Sequence, residues 1–279
     1  MVFKVPGTKF GWGSVLFING NGDTIAKTLE LNPDLNSFIA EHLIPPKSQG
    51  RVQPTSDNWP YLYIEKPMIP MLFFALGASI LILWAVTSRF FAGRLVLPPL
   101  WQRESLNFFA LGLGFVLLQV FIIAKASILF GSTWIVNSIV ISGMMLTILV
   151  ANWMIAKGWR FPLRLIALLL VALCASMAFL SFQPALTFGM PTRILMGTAL
   201  SGLPTLFSGI LFGSAFNHAT IPSQALGSNL FGSLVGALLQ SVIFWLGINS
   251  LAILGAAAYL LAWGTTFITV FPSGQEKQL

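Results

Sequence analysis

Among the polar side chains that interrupt otherwise apolar runs, four amides stand out: Gln119, Asn137, Asn229 and Gln240. An amide both donates and accepts hydrogen bonds but does not titrate. That chemistry suits bonds between helices. It does not suit proton or ion coupling, which draws on ionisable groups at membrane depth. The four therefore read first as interhelical glue and second as a transport site. A second pattern lies beside them. Ser228, Gly232, Gly236 and Gln240 recur every fourth residue, flanked by Asn229 and Ser233. Small residues at that spacing let two helix backbones approach closely. Such a stripe serves packing within a bundle, a subunit interface or the wall of a substrate path, in that order.

Other reactive side chains lack company. His42 and His218 have no second histidine or carboxylate at metal-ligand spacing. Cys174 is the sole cysteine and sits in an apolar run, so it reads as a small packed residue. Gly11-Trp12-Gly13 lacks the strand-to-helix setting of a phosphate-cradling loop. No Ser/His/Asp set or carboxylate pair is evident. The sequence thus predicts no catalytic residue, no metal and no cofactor. Lys125 lies just past an apolar run, where its ammonium is expected to reach the membrane surface.

The elements that would position these residues are set by composition. Of 279 residues, 56% are hydrophobic and 8% charged, against about 25% charged in soluble domains. Residues 1–66 carry six basic and six acidic side chains. The net charge of +7 therefore arises in the loops between apolar runs, which is a membrane-topology pattern rather than a nucleic-acid surface. Seven runs approach the ~20 residues a helix needs to span a bilayer: Met68–Ser88, Leu106–Ile123, Thr133–Ile155, Phe161–Phe182, Arg193–Phe216, Leu226–Leu246 and Asn249–Phe271. Continuous apolarity argues for helices and against a barrel. The expected fold is an all-α integral membrane protein, with a seven-helix bundle over 67–279 and a small mixed α/β extramembrane segment over 1–66.

Within that segment, Ser14–Ile18 reads as a strand, Asn19–Asp23 as a turn and Leu35–His42 as a helix, and Pro45, Pro46 and Pro54 keep the remainder extended. Trp59, Tyr61 and Tyr63 suit the headgroup zone before the first run. The second and third runs, with Gln119, Asn137, Ser138 and Asn152, are expected to pair as the polar heart of the bundle. Pro204 should kink the fifth run. Arg89, Arg94, Arg103, Lys157, Arg160 and Arg164 outnumber Lys125 and Arg193 on the other side. That asymmetry puts the first group in the cytoplasm and the N-terminal segment opposite. Met1–Gly22 lacks the apolar core of a signal peptide.

Three stretches resemble a known family. Pro54-Thr55-Ser56-Asp57-Asn58-Trp59-Pro60-Tyr61-Leu62-Tyr63 is similar to the junction of the bacterial membrane-fused spermidine-synthase-like proteins, which join a Rossmann domain of the S-adenosylmethionine type to a multi-helix membrane region. Phe115–Val120 with Leu129–Asn137 is similar to that family's second and third helices, and Ala225–Gln240 to its sixth. Where the family pattern has Glu, this chain has Gln119 and Gln240, and a Lys of the pattern falls at Phe121. Only the last strand and helix of the Rossmann domain have counterparts, in residues 1–45. The resemblance thus implies a membrane scaffold without aminopropyl transfer.

The function expected from all this is a non-catalytic integral membrane subunit, packed in or stabilising a larger complex of the bacterial cytoplasmic (inner) membrane, such as an energy-transducing, respiratory or photosynthetic one. Its partners would be other integral membrane subunits and the bilayer, not nucleic acid. The alternatives are a small-solute carrier with its site near Gln119, Asn137 and Asn229, and the membrane half of a split spermidine-synthase-like enzyme.

Overall fold

The computed structural model describes residues 2–5, 14–17, 22–43, 55–61, 64, 67–92, 98–130, 134–180 and 187–269. The chain divides into two compact units, Met1–Val52 and Gln53–Leu279. Residues 53–66, grouped above with the extramembrane segment, thus fall in the larger unit.

In the first unit, β1 (Val2–Val5) and β2 (Ser14–Phe17) pair antiparallel, with Val2 opposite Phe17 and Val5 opposite Ser14. Two helices follow, α1 (Gly22–Glu30) and α2 (Pro33–His42). The start of α1 falls on Gly22 and Asp23, where the Asn/Gly-rich sequence suggests only a turn. Asp23 instead occupies the first turn of a helix, where a carboxylate meets the positive end of the helix dipole. Ile25 and Leu29, one turn apart, meet Ile39 of α2 in a small apolar cluster. Pro33 starts α2 where its missing N–H costs nothing. The extended stretch through Pro45, Pro46 and Pro54 lies outside the described residues.

In the second unit, helices occupy all seven apolar runs. They are α3 (Met71–Ala92), α4 (Arg103–Phe130), α5 (Trp134–Ala156), α6 (Leu163–Phe179), α7 (Met190–Asn217), α8 (Pro222–Leu239) and, after a break, α10 (Asn249–Thr269). Among the described residues, four segments are long and apolar enough to cross a membrane: Met71–Phe90, Arg103–Ser127, Met196–Asn217 and Pro222–Leu246. Val140–Ala156, Leu163–Phe179 and Asn249–Thr265 are apolar but shorter. This is the build of a helical membrane protein.

The sixth run is not one continuous helix. After α8 comes a single 3-10 turn, Gln240–Val242, and then the four-residue α9 (Ile243–Leu246). Gly247 reverses the chain with φ 85°, a conformation that side chains with a Cβ rarely adopt. Gly158, at φ 79°, ends α5 in the same way: Trp159 N–H returns to Met154 O at 3.2 Å, closing off the last turn. The fifth run is a single helix, Met190–Asn217, that continues through the buried Pro204. The Ser201 hydroxyl donates to Gly197 O (2.9 Å) and the Thr205 hydroxyl to Ser201 O (2.7 Å) around it.

The core centres on α4, which packs against α8, α10 and α7. The sequence explains this position. Gly112 and Gly114 are two apart and so face different neighbours: Gly112 lies on the backbone of Asn229 in α8, and the space beside Gly114 is filled by the Tyr259 ring of α10, 3.1 Å from where a Cβ would sit. The expected α4–α5 polar pair does not form the heart of the bundle. α5 packs chiefly on α7, drawn in by Gly209 and Gly213, while Asn152, Ser138 and Trp153 are exposed. Apolar periodicity cannot rank neighbours, and small residues on α7 rather than amides on α5 decide the contact.

Side-chain pairs fix which helix ends meet. At one end, Glu104 accepts from the Thr220 N–H (2.8 Å), joining the starts of α4 and α8. There Asn107 also donates to Ala262 O (2.7 Å), near the end of α10. At the opposite end, Phe130 of α4 packs at Gly197 of α7, and Trp59 donates to Phe244 O (3.0 Å).

Candidate functional site

The tightest feature of the bundle is the α4–α8 crossing. Gly232 rests on the Phe109 backbone and Gly112 on the Asn229 backbone, so neither glycine has room for a Cβ. At Gly236 a Cβ would lie 3.1 Å from Leu113 O. Ser228, Gly232 and Gly236 are all buried along this line. Polar groups lace it. Asn229 Nδ2 donates to Phe108 O at 3.2 Å, and the Ser233 hydroxyl donates to Asn229 O at 3.0 Å. Among the described residues the buried hydroxyl of Ser228 has no hydrogen-bond partner. Its neighbours one turn earlier are better served: Gln224 Nε2 donates to Ser105 Oγ (2.9 Å) and to Gln102 Oε1 (2.5 Å), around a pocket of about 80 Å³.

Of the residues singled out from sequence, Asn229, Gly232 and Gly236 meet α4 at this crossing, and Ser228 is buried on the same stripe. Gln240 does not continue their stripe. The helix tightens into the 3-10 turn there, and Gln240 is half-buried. Gln119 is half-buried on α4, one turn beyond Val116, whose side chain lies beside Gly236. The side chain of Asn137 lies outside the described residues.

Lys125 departs from expectation. Because α4 runs on to Phe130, Lys125 lies inside the helix, 3% exposed, with its ammonium 5.7 Å from the Phe121 ring centroid. That separation is within cation–π range. Trp59 departs too. It does not meet headgroups but is 4% exposed, packed against the α9–α10 corner. Asn58 fixes that corner twice, its carbonyl accepting from Ile248 N–H and its Oδ1 from Asn249 N–H, each at 2.7 Å. Tyr61 stands edge-on to Trp59 and 4.7 Å from Phe244, and burial pushes its phenol up to about 12.

Three polar contacts were not foreseen. Asn107 reaches Thr265 Oγ1 (3.1 Å) as well as Ala262 O, Tyr259 donates to Ser208 Oγ (2.8 Å) inside the core, and Glu104 caps the approach to α8. For Asn107 a signal existed, an amide near the start of the second run. Tyr259–Ser208 had none, since the two are 51 residues apart. Near Ser208 and Asn229 is a cavity of about 180 Å³.

His42 Nδ1 bonds Phe38 O (2.8 Å) and His218 Nδ1 bonds Ser214 O (2.9 Å), each within its own helix. Cys174 is buried in the core. Among the described residues no group of three or more His, Cys, Asp or Glu could hold a metal ion. Comparison of the chain with family models, with characterised proteins and with solved structures finds no match.

Proposed function

We propose that the chain is a non-catalytic, seven-span integral membrane subunit that packs in or stabilises a larger complex of the bacterial cytoplasmic membrane. One observation carries this reading. The polar side chains deep in the bundle bond to neighbouring helices: Asn107 to α10, Asn229 to α4 and Tyr259 to α7. Groups engaged in this way hold helices together rather than line a charged path.

The place where a partner would pack is α3. No part of its apolar Met71–Phe90 window is buried. Its side-chain contacts with the bundle include Phe73 with Phe244, Trp84 with Phe231 and Gly77 with Leu238. Leu72, Phe74, Leu81, Ile82, Leu83 and Val86 are exposed. The split-enzyme alternative, suggested by the Pro54–Tyr63 resemblance, differs only in the identity of that partner.

The test is purification in mild detergent after photo-crosslinking from position 82 or 83 of α3. The expected result is a stable crosslink to another integral membrane chain. A separate Rossmann-type partner would favour the split enzyme, and an uncrosslinked monomer would overturn both. Topology is read separately. Because Cys174 is the sole and buried cysteine, single cysteines at Lys157 and Asp57 should label from the cytoplasmic and opposite sides respectively.

A further inference from the structure

The cavity of about 180 Å³ is bounded by four helices: Leu111 and Phe115 of α4, Ile148 of α5, Ser208 and Phe212 of α7, and Asn229 of α8. It exists because α8 packs closely on α4 but, among the described residues, not on α5 or α7. Gly209 meanwhile pulls α7 onto Ala151 of α5. The space left beside α4 is therefore flanked by helices that do not close on one another. An apolar cavity of about 150 Å³ in a protein core accepts a benzene ring. This one is somewhat larger, and its walls are aromatic and aliphatic except at two points.

Those two points are chemically specific. Ser208 Oγ accepts a hydrogen bond from Tyr259, which leaves the serine hydrogen to donate. Asn229 donates through Nδ2 to Phe108 O, which leaves its carbonyl oxygen Oδ1 outside that bond. One donor and one acceptor thus border a ring-sized apolar space. No side chain lining it is ionisable, so a charged ligand would lose hydration without compensation.

We infer that this cavity is a binding site for a neutral, ring-sized, hydroxyl-bearing molecule that partitions into the membrane. The ring fills the space between Phe115, Phe212, Leu111 and Ile148. The ligand hydroxyl donates to Asn229 Oδ1 and accepts from Ser208. Such a hydroxylated ring could come from a free phenol or from the head of a longer membrane lipid. In the second case the chain would leave between α8 and α5.

The test uses the purified full chain in detergent, with 4-fluorophenol and fluorobenzene as probes read by fluorine NMR. 4-Fluorophenol is expected to bind saturably at one site and more tightly than fluorobenzene. Ile148→Phe, which fills the cavity, should weaken both probes at least tenfold. Ser208→Ala should weaken 4-fluorophenol about fivefold, the effect of one hydrogen bond, and leave fluorobenzene unchanged. Non-saturable partitioning in wild type, or equal binding to wild type and Ile148→Phe, would overturn the inference. Should Ile148→Phe fail to fold, an unchanged preference for 4-fluorophenol over fluorobenzene in Ser208→Ala would overturn it alone. Competition by 4-octylphenol separates the sources: displacement of 4-fluorophenol indicates a lipid head, and no displacement a free phenol.

Discussion

α3 and α4 are both long apolar helices that qualify as membrane spans, yet over half of the α4 window is buried in the bundle and none of the α3 window is. Apolarity does not distinguish them, because lipid tails and leucine side chains offer each other equal surroundings. What differs is the backbone access that glycine gives. Gly112 and Gly114 let α4 touch α8 and α10 directly, whereas Gly77 of α3 has only the tip of Leu238 at 3.8 Å beside it. α4 also carries Asn107 to bond another helix, and α3 has its polar side chains turned inward on itself: Ser79 donates to Ala75 O and Thr87 to Leu83 O. A helix joins a membrane bundle through close backbone approach and shared hydrogen bonds. Hydropathy only brings it into the same bilayer.

The largest test of that contrast is Gly232→Leu. A branched side chain would displace the Phe109 backbone, so the α4–α8 crossing should open at a cost of about 3 kcal/mol or more. Thermal unfolding in detergent should show a large loss or no folded species. Gly77→Leu on α3 should leave the transition within a degree or two, and equal losses in both variants would erase the distinction between the helices.

Asn107→Leu comes next. It removes the bonds to Ala262 and Thr265. Hydrogen bonds in membrane bundles average about 0.6 kcal/mol and reach about 1.7. A loss in that range is expected from the same melts. Ser79→Ala, which removes only a bond within α3, should have no measurable effect on bundle stability.

Tyr61 sharpens the comparison at the α9–α10 corner, against which the segment leading to α3 packs. Burial raises its phenol pKa in the folded state above the usual 10, to about 12. The folded protein then holds the proton more tightly than the unfolded chain between those values. Stability from the neutral phenol is complete below pH 10 and declines as pH rises toward 12. Tyr61→Phe should flatten that decline relative to wild type in melts from pH 8 to 11. Parallel curves would show that the phenol is solvated. The same corner is tested by Asn58→Ala. It deletes one acceptor, for Asn249 N–H, at about 1 kcal/mol, and should chiefly speed proteolysis near residues 55–61.

Seven apolar runs, the small-residue stripe at Ser228, Gly232 and Gly236, and the scarcity of charge were all legible in the sequence. Each is a local property, set by which side chains hydrocarbon tolerates and by which residues lack bulk. Where the runs break was less legible: the Gly247 corner that follows the sixth run is held by Asn58, whose bond to Asn249 spans 191 residues. The burial of Lys125 and Trp59, the demotion of α5 to the rim and the Tyr259–Ser208 contact were decided only by tertiary structure. An apolar helix is compatible with many neighbours of nearly equal energy. The choice among them rests on a few glycines and amides that must match across helices distant in the chain, and the matching appears only once those helices are packed.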